Sequence, residues 1–143
     1  MKYDKQANNS IALIYQDEEK KFVEKHWDDI LVGKIVKVKK NEMIPADILI
    51  IKSSDENGLC YLETTNLDGE SALKPRQSII SYQKSIAMES DVSKIKDTLE
   101  VDNPNVHIYK VEGYLYYVNE NNRKDFFSID NILLRVIIII III

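Results

Sequence analysis

A chain of 143 residues, 45% hydrophobic and 29% charged, has the composition of a globular protein and is long enough for one domain with a core. Nineteen basic residues against 23 acidic ones leave a net charge of -4, and the lysines are scattered, which excludes an electrostatic footprint for nucleic acid or for an anionic lipid surface. A single cysteine, Cys60, rules out an internal disulfide, and two distant histidines, His26 and His107, offer no zinc-ligand spacing.

The opening MKYDKQANNS is polar and has no apolar region of the signal-peptide kind. SIALIY (10–15) predicts a strand. KIVKVKK (34–40) alternates Val36 and Val38 with Lys37 and Lys39, the pattern of a half-buried strand. Pro45 precedes DILIIKSS (47–54), whose continuous apolar centre predicts a strand buried on both faces. SSDENG (53–58) is a turn cluster, and GLCYLETT (58–65) predicts the next strand. Val92, Ile95 and Leu99 recur at helical spacing behind Ser90 or Asp91, predicting a short helix near 91–99, with polar residues 80–90 leading into it. VHIYKVEGYLYYV (106–118) predicts two strands joined or bent at Gly113, residues around 119–125 a long polar loop, and DNILLRV (130–136) a last strand.

The chain closes on VIIIIIII (136–143), eight apolar residues where a membrane-spanning helix needs roughly 20. This run is expected to be the start of something longer or a low-complexity tail with no packing partner. The expected organisation is a polar end (1–8), a β domain (9–135) and the poly-Ile tail (136–143). The expected fold class is mainly β, a distorted barrel, jelly-roll-like domain or sandwich with a short helical insertion.

Residues 66–71 read NLDGES. Taken alone, Asp68-Gly69-Glu70-Ser71 is a turn at a strand end, since Asp-Gly is a favoured turn pair. The flanking residues carry a larger pattern. In order come Trp27, Ile30, Val32-Gly33, Asn41-Glu42, Pro45-Ala46-Asp47, Asn57-Gly58, Leu59-Cys60-Tyr61, Glu63-Thr64 and Asn66 to Glu70. This series, within residues 26–77, resembles the actuator domain of P-type ATPases, and within that superfamily the phospholipid flippases. NPNVHIYKVEGYLYY (103–117) and SIDNILLR (128–135) extend the resemblance more weakly. Lys34 stands where the family has Asp, Ser71 where flippases have Thr, Ala72 where they have Asn, and Pro75 where they have a residue with an N–H.

The resemblance implies a mechanism. In such pumps ATP phosphorylates an Asp in a separate domain, and the actuator brings its loop over that aspartyl phosphate. By this analogy Glu70 positions and polarises water, Gly69 permits close approach, and Asp68 and Ser71 shape or hydrogen-bond the loop. The implied partners are the phosphorylation domain, the membrane helices, a phospholipid substrate and an accessory membrane subunit, at the cytoplasmic face of a membrane, with no nucleic acid. This chain itself is expected to hold no cofactor or metal; ATP and Mg²⁺ belong to the full pump. It contains no Asp-Lys-Thr-Gly-Thr-type phosphorylation motif, so it is expected to act only as a fragment of a pump or to be a relic of one. Two alternatives stand beside this. One is a free-standing β domain that binds a partner, with Glu70 an ordinary loop carboxylate. The other is the actuator of a cation pump, which the CYLETTNLDGES run fits less well.

Overall fold

The computed structural model describes residues 10–65, 69–101, 111–118, 120, 123–133 and 141–142. Its strands are β1 (Ile11–Gln16), β2 (Lys21–His26), β3 (Val36–Lys37), β4 (Ile48–Leu49), β5 (Leu59–Leu62), β6 (Lys74–Gln77), β7 (Thr98–Val101), β8 (Gly113–Tyr116), β9 (Lys124–Phe127), β10 (Ile132–Leu133) and β11 (Ile141–Ile142). Among the described residues the helix α1 (Ile80–Ser85) and 3-10 turns at Trp27–Asp29, Glu89–Lys94 and Ile129–Asn131 interrupt them. The mainly β expectation holds. The described strands form four small sheets, in the orders β2-β1-β3, β10-β4-β11, β5-β6 and β7-β8-β9, and these do not close into a barrel.

The segment around β4 organises the interior. Ile48, Leu49, Ile50 and Ile51 are each 0–2% exposed, as the unbroken apolar run predicted. Successive side chains in extended chain point to opposite sides. Leu49 and Ile51 therefore join Tyr15, Ile79, Tyr82, Leu115 and Phe127 in one core. Ile48 and Ile50 join Ala12, Ile14, Val36 and Leu62 in a second. Each isoleucine fully withdrawn from water contributes roughly 1.5–3 kcal/mol.

Three expectations are corrected. The helix predicted near 91–99 is a 3-10 turn over Glu89–Lys94, in which Asp91 Oδ2 accepts the N–H groups of Ala87 (2.9 Å) and Met88 (3.0 Å). Ile95 is already extended, and Leu99 lies in β7 opposite Leu115. Sheet pairing overrides the helical spacing there. The helix falls earlier, at α1, where Ile79, Tyr82 and Ile86 turn one face to the core. The polar loop predicted at 119–125 gives way to β9 at Lys124, held by its pairing to Tyr116. The tail is not without a partner, because Ile141 and Ile142 lie parallel to Ile48 and Leu49. Of the strands predicted around Gly113, β8 is observed, while 106–110 lie outside the described residues.

Candidate functional site

Strands β5 and β6 form an antiparallel ribbon with Leu62 opposite Lys74 and Leu59 opposite Gln77. Residues 63–73 connect them, and this connection carries the motif. Among the described residues β6 pairs only with β5, so Pro75 sits on a strand with one side outside the ladder, where its missing N–H is tolerated.

The foot of the ribbon is tied down by a polar network. The buried side chain of Gln83 accepts from Ser53 N and from Ser78 Oγ, both at 2.8 Å, and donates to the carbonyls of Ser53 and Asp55 at 3.1 Å. Ser78 N donates to Gly58 O at 2.9 Å. Gly58 has φ +79, and a Cβ there would meet Ser78 Oγ at 2.1 Å, so the tight turn before β5 requires glycine. On the β6 side, Arg76 Nε donates to Ile132 O at 3.1 Å and Asn131 Nδ2 donates to Gln77 O at 2.8 Å. The ribbon is thereby fixed to α1 and to the segment leading into β10.

Above this base the loop has its own restraints. Gly69 adopts φ +72, and its N–H donates to Thr65 O at 2.9 Å. Thr65 Oγ1 lies 3.1 Å from Glu70 O and 3.0 Å from Glu63 Oε1, so its one hydrogen serves either acceptor. Among the described residues, nothing beyond its chain neighbours lies within 4 Å of where a Gly69 Cβ would stand, so glycine is needed here for backbone conformation rather than for want of space. Glu70 projects outward with its side chain 63% exposed, and Lys74 Nζ lies 3.2 Å from its Oε2. Ser71, Ala72 and Leu73 are exposed as well. An ion pair this open to solvent adds at most about 1 kcal/mol to stability, so it orients the carboxylate more than it holds the fold.

The structure thus places Gly69, Glu70 and Ser71 together on an exposed loop. Asp68, with Asn66 and Leu67, lies outside the described residues. Of the four family departures, Lys34, Ser71, Ala72 and Pro75, all are surface residues. Cys60 sits opposite Arg76 in the ribbon. Burial pushes its thiol pKa up and the Arg76 charge only partly offsets this, which keeps it a neutral thiol and a poor nucleophile. Among the described residues no group of three or more His, Cys, Asp or Glu side chains converges on a point that would hold a metal ion. No helix among them is long and apolar enough to cross a membrane.

Sequence reasoning missed Thr65 and Lys74 as parts of the site. Their signal was present in the spacing: each stands about one turn's length from its partner, Thr65 from Gly69 and Glu70, Lys74 from Glu70. Carboxylate and lysine four apart are an ordinary surface pair unless the backbone between them is known.

Comparison with known proteins gives a consistent result. Residues 6–101 match the family profile of the P-type ATPase actuator domain. The chain is 38% identical over 134 residues to phospholipid-transporting ATPase VD of Homo sapiens, covering 94% of the chain and 9% of that protein. It is 42% identical over 132 residues to phospholipid-transporting ATPase DRS2 of Saccharomyces cerevisiae, covering 92% of the chain and 9% of that protein. It is 37% identical over 135 residues to phospholipid-transporting ATPase VB of Homo sapiens, with 94% and 9% covered. The chain therefore spans under a tenth of the length of these relatives.

Proposed function

Because the chain belongs to the P-type ATPase actuator domain family, we propose that it works as the actuator of a phospholipid-transporting pump and that Glu70 promotes hydrolysis of that pump's aspartyl phosphate. The observation that carries this reading is the presentation of Glu70: an outward carboxylate on a loop whose backbone is set by Gly69 and Thr65 and whose base is fastened to the core. In the reaction, the oxygen of a water bonds to phosphorus as the bond from phosphorus to the aspartyl oxygen breaks. The aspartate leaves as a carboxylate, the water's proton passes to Glu70, and inorganic phosphate is formed. Work of this kind depends on position and charge more than on covalent chemistry from the protein.

Under this reading the phosphorylated domain, the membrane helices, an accessory membrane subunit and the phospholipid are partners of the chain at the cytoplasmic face of a membrane. ATP and Mg²⁺ belong, under this reading, to the other domains of the pump. Asp68 and Ser71 shape the loop, and Gly69 clears the approach to the phosphoryl group.

The test is a chimera in which residues 9–135 replace the matching segment of the yeast relative. Glu70→Gln keeps the side chain's size and removes its charge. Phosphoenzyme still forms, and its decay after an ATP chase slows by roughly 10²–10⁴-fold, the usual reach of general-base catalysis. Lipid-stimulated turnover collapses with it. Decay at the parent chimera's rate would make Glu70 an ordinary loop carboxylate and favour the binding-module reading.

A further inference from the structure

Lys74 is the first residue of β6 and pairs with Leu62, so its backbone belongs to the fastened ribbon rather than to the loop. Its side chain is 29% exposed, against 63% for Glu70. The aliphatic stem is thus packed along the protein while the ammonium reaches Glu70 Oε2 at 3.2 Å. A cation anchored on the scaffold meets an anion presented by the loop.

Resting on the water-handling reading of Glu70, we propose that Lys74 is a positioning residue for that carboxylate: its ammonium holds Oε2 and offsets the repulsion between Glu70 and an incoming phosphoryl group. Two requirements lead there. A glutamate has several rotamers, and a reaction that depends on in-line geometry gains from having one of them selected beforehand. A carboxylate must also approach a multiply charged phosphoryl group, and as water leaves the closing interface the repulsion grows. A lysine on the ribbon answers both, because it stays in place when the loop meets its target. Thr65 does the corresponding work for the backbone, with its carbonyl on the Gly69 N–H and its hydroxyl beside Glu70 O.

The same chimera tests this, with Lys74→Met and Lys74→Arg each made in the Glu70 and the Glu70→Gln backgrounds. Methionine keeps an unbranched stem and removes the charge; arginine keeps the charge. With Glu70 present, Lys74→Met slows phosphoenzyme decay by roughly three- to tenfold, the span from an exposed ion pair to one shielded from water, and Lys74→Arg restores most of the loss. With Gln at position 70, Lys74→Met adds nothing, because a residue acting through Glu70 has lost its object. Three results overturn the proposal: parent-like decay in Lys74→Met, an equal slowing in both backgrounds, or a matching loss of phosphoenzyme formation, which marks a merely structural role. Failure of the underlying reading looks different, since Glu70→Gln alone then decays like the parent and the role of Lys74 falls with it.

Discussion

Gly58 lies so close to Ser78 that a single added carbon, the Cβ of any other residue, would come within 2.1 Å of the serine oxygen. The turn leading into β5 and the segment leading out of β6 are therefore joined at a point with no spare room, and Gln77 Nε2 at 2.7 Å closes the other side.

Gly58→Ala should consequently cost about 2–3 kcal/mol, combining the left-handed backbone penalty with overpacking of a buried site. Gly69→Ala carries the backbone penalty alone, about 1 kcal/mol, because no described residue beyond its neighbours stands near its Cβ position. Urea unfolding midpoints should rank parent above Gly69→Ala above Gly58→Ala. Equal midpoints for the two variants would show that Ser78 yields freely.

Alkaline pH should destabilise the fold through its tyrosines. Burial and then the hydrogen bond to Asp125 push the Tyr117 phenol up from 10.0 to about 12. Burial and Asp97 raise Tyr82 too. Between those two values the unfolded chain has lost a proton that folded Tyr117 retains, so rising pH favours unfolding. The contribution is whole below about pH 10 and is lost as pH climbs through about 12. Thermal midpoints of Tyr117→Phe, followed across the alkaline range, should fall less steeply than those of the parent. An identical slope would place the titrating groups elsewhere.

Removing residues 136–143 should raise the soluble yield. Seven consecutive isoleucines, uncharged and β-branched, form an aggregation-prone segment with no Pro or charge to interrupt it. The deletion also takes from β4 its parallel neighbours Ile141 and Ile142, a loss of about 1 kcal/mol if one net hydrogen bond goes with it. Soluble fraction and thermal midpoint, measured on both lengths, separate the two effects. Equal solubility would mean that the tail is shielded in the folded chain.

What could be read in the sequence was what local pattern determines. β1 announced itself through the short apolar run SIALIY and β4 through an unbroken apolar centre, and both cores draw on them. The ordered series around NLDGES led to the actuator family before any geometry was known. β2, β6 and β9 escaped notice because KFVEKH, KPRQ and KDFF are short and broken by charged residues. They are strands by virtue of their partners Ile11 to Gln16, Leu59 to Leu62 and Gly113 to Tyr116. Leu99 misled for the same reason, its apolar side chain being claimed by Leu115 across a sheet instead of by Ile95 along a helix. Around Glu70, residue types revealed the loop, but the ties from Thr65 and Lys74 depend on how the backbone folds back.

The exposed crest of the loop and the isoleucine seam of β4 keep different clocks. Residues 69–73 stand in solvent, so their excursions need no breach of either core and belong to the fast, local end of protein motion. Ile48 to Ile51 face protein on both sides, and water reaches them only when the whole fold opens. The crest can change shape many times over while the domain that carries it has not once come apart.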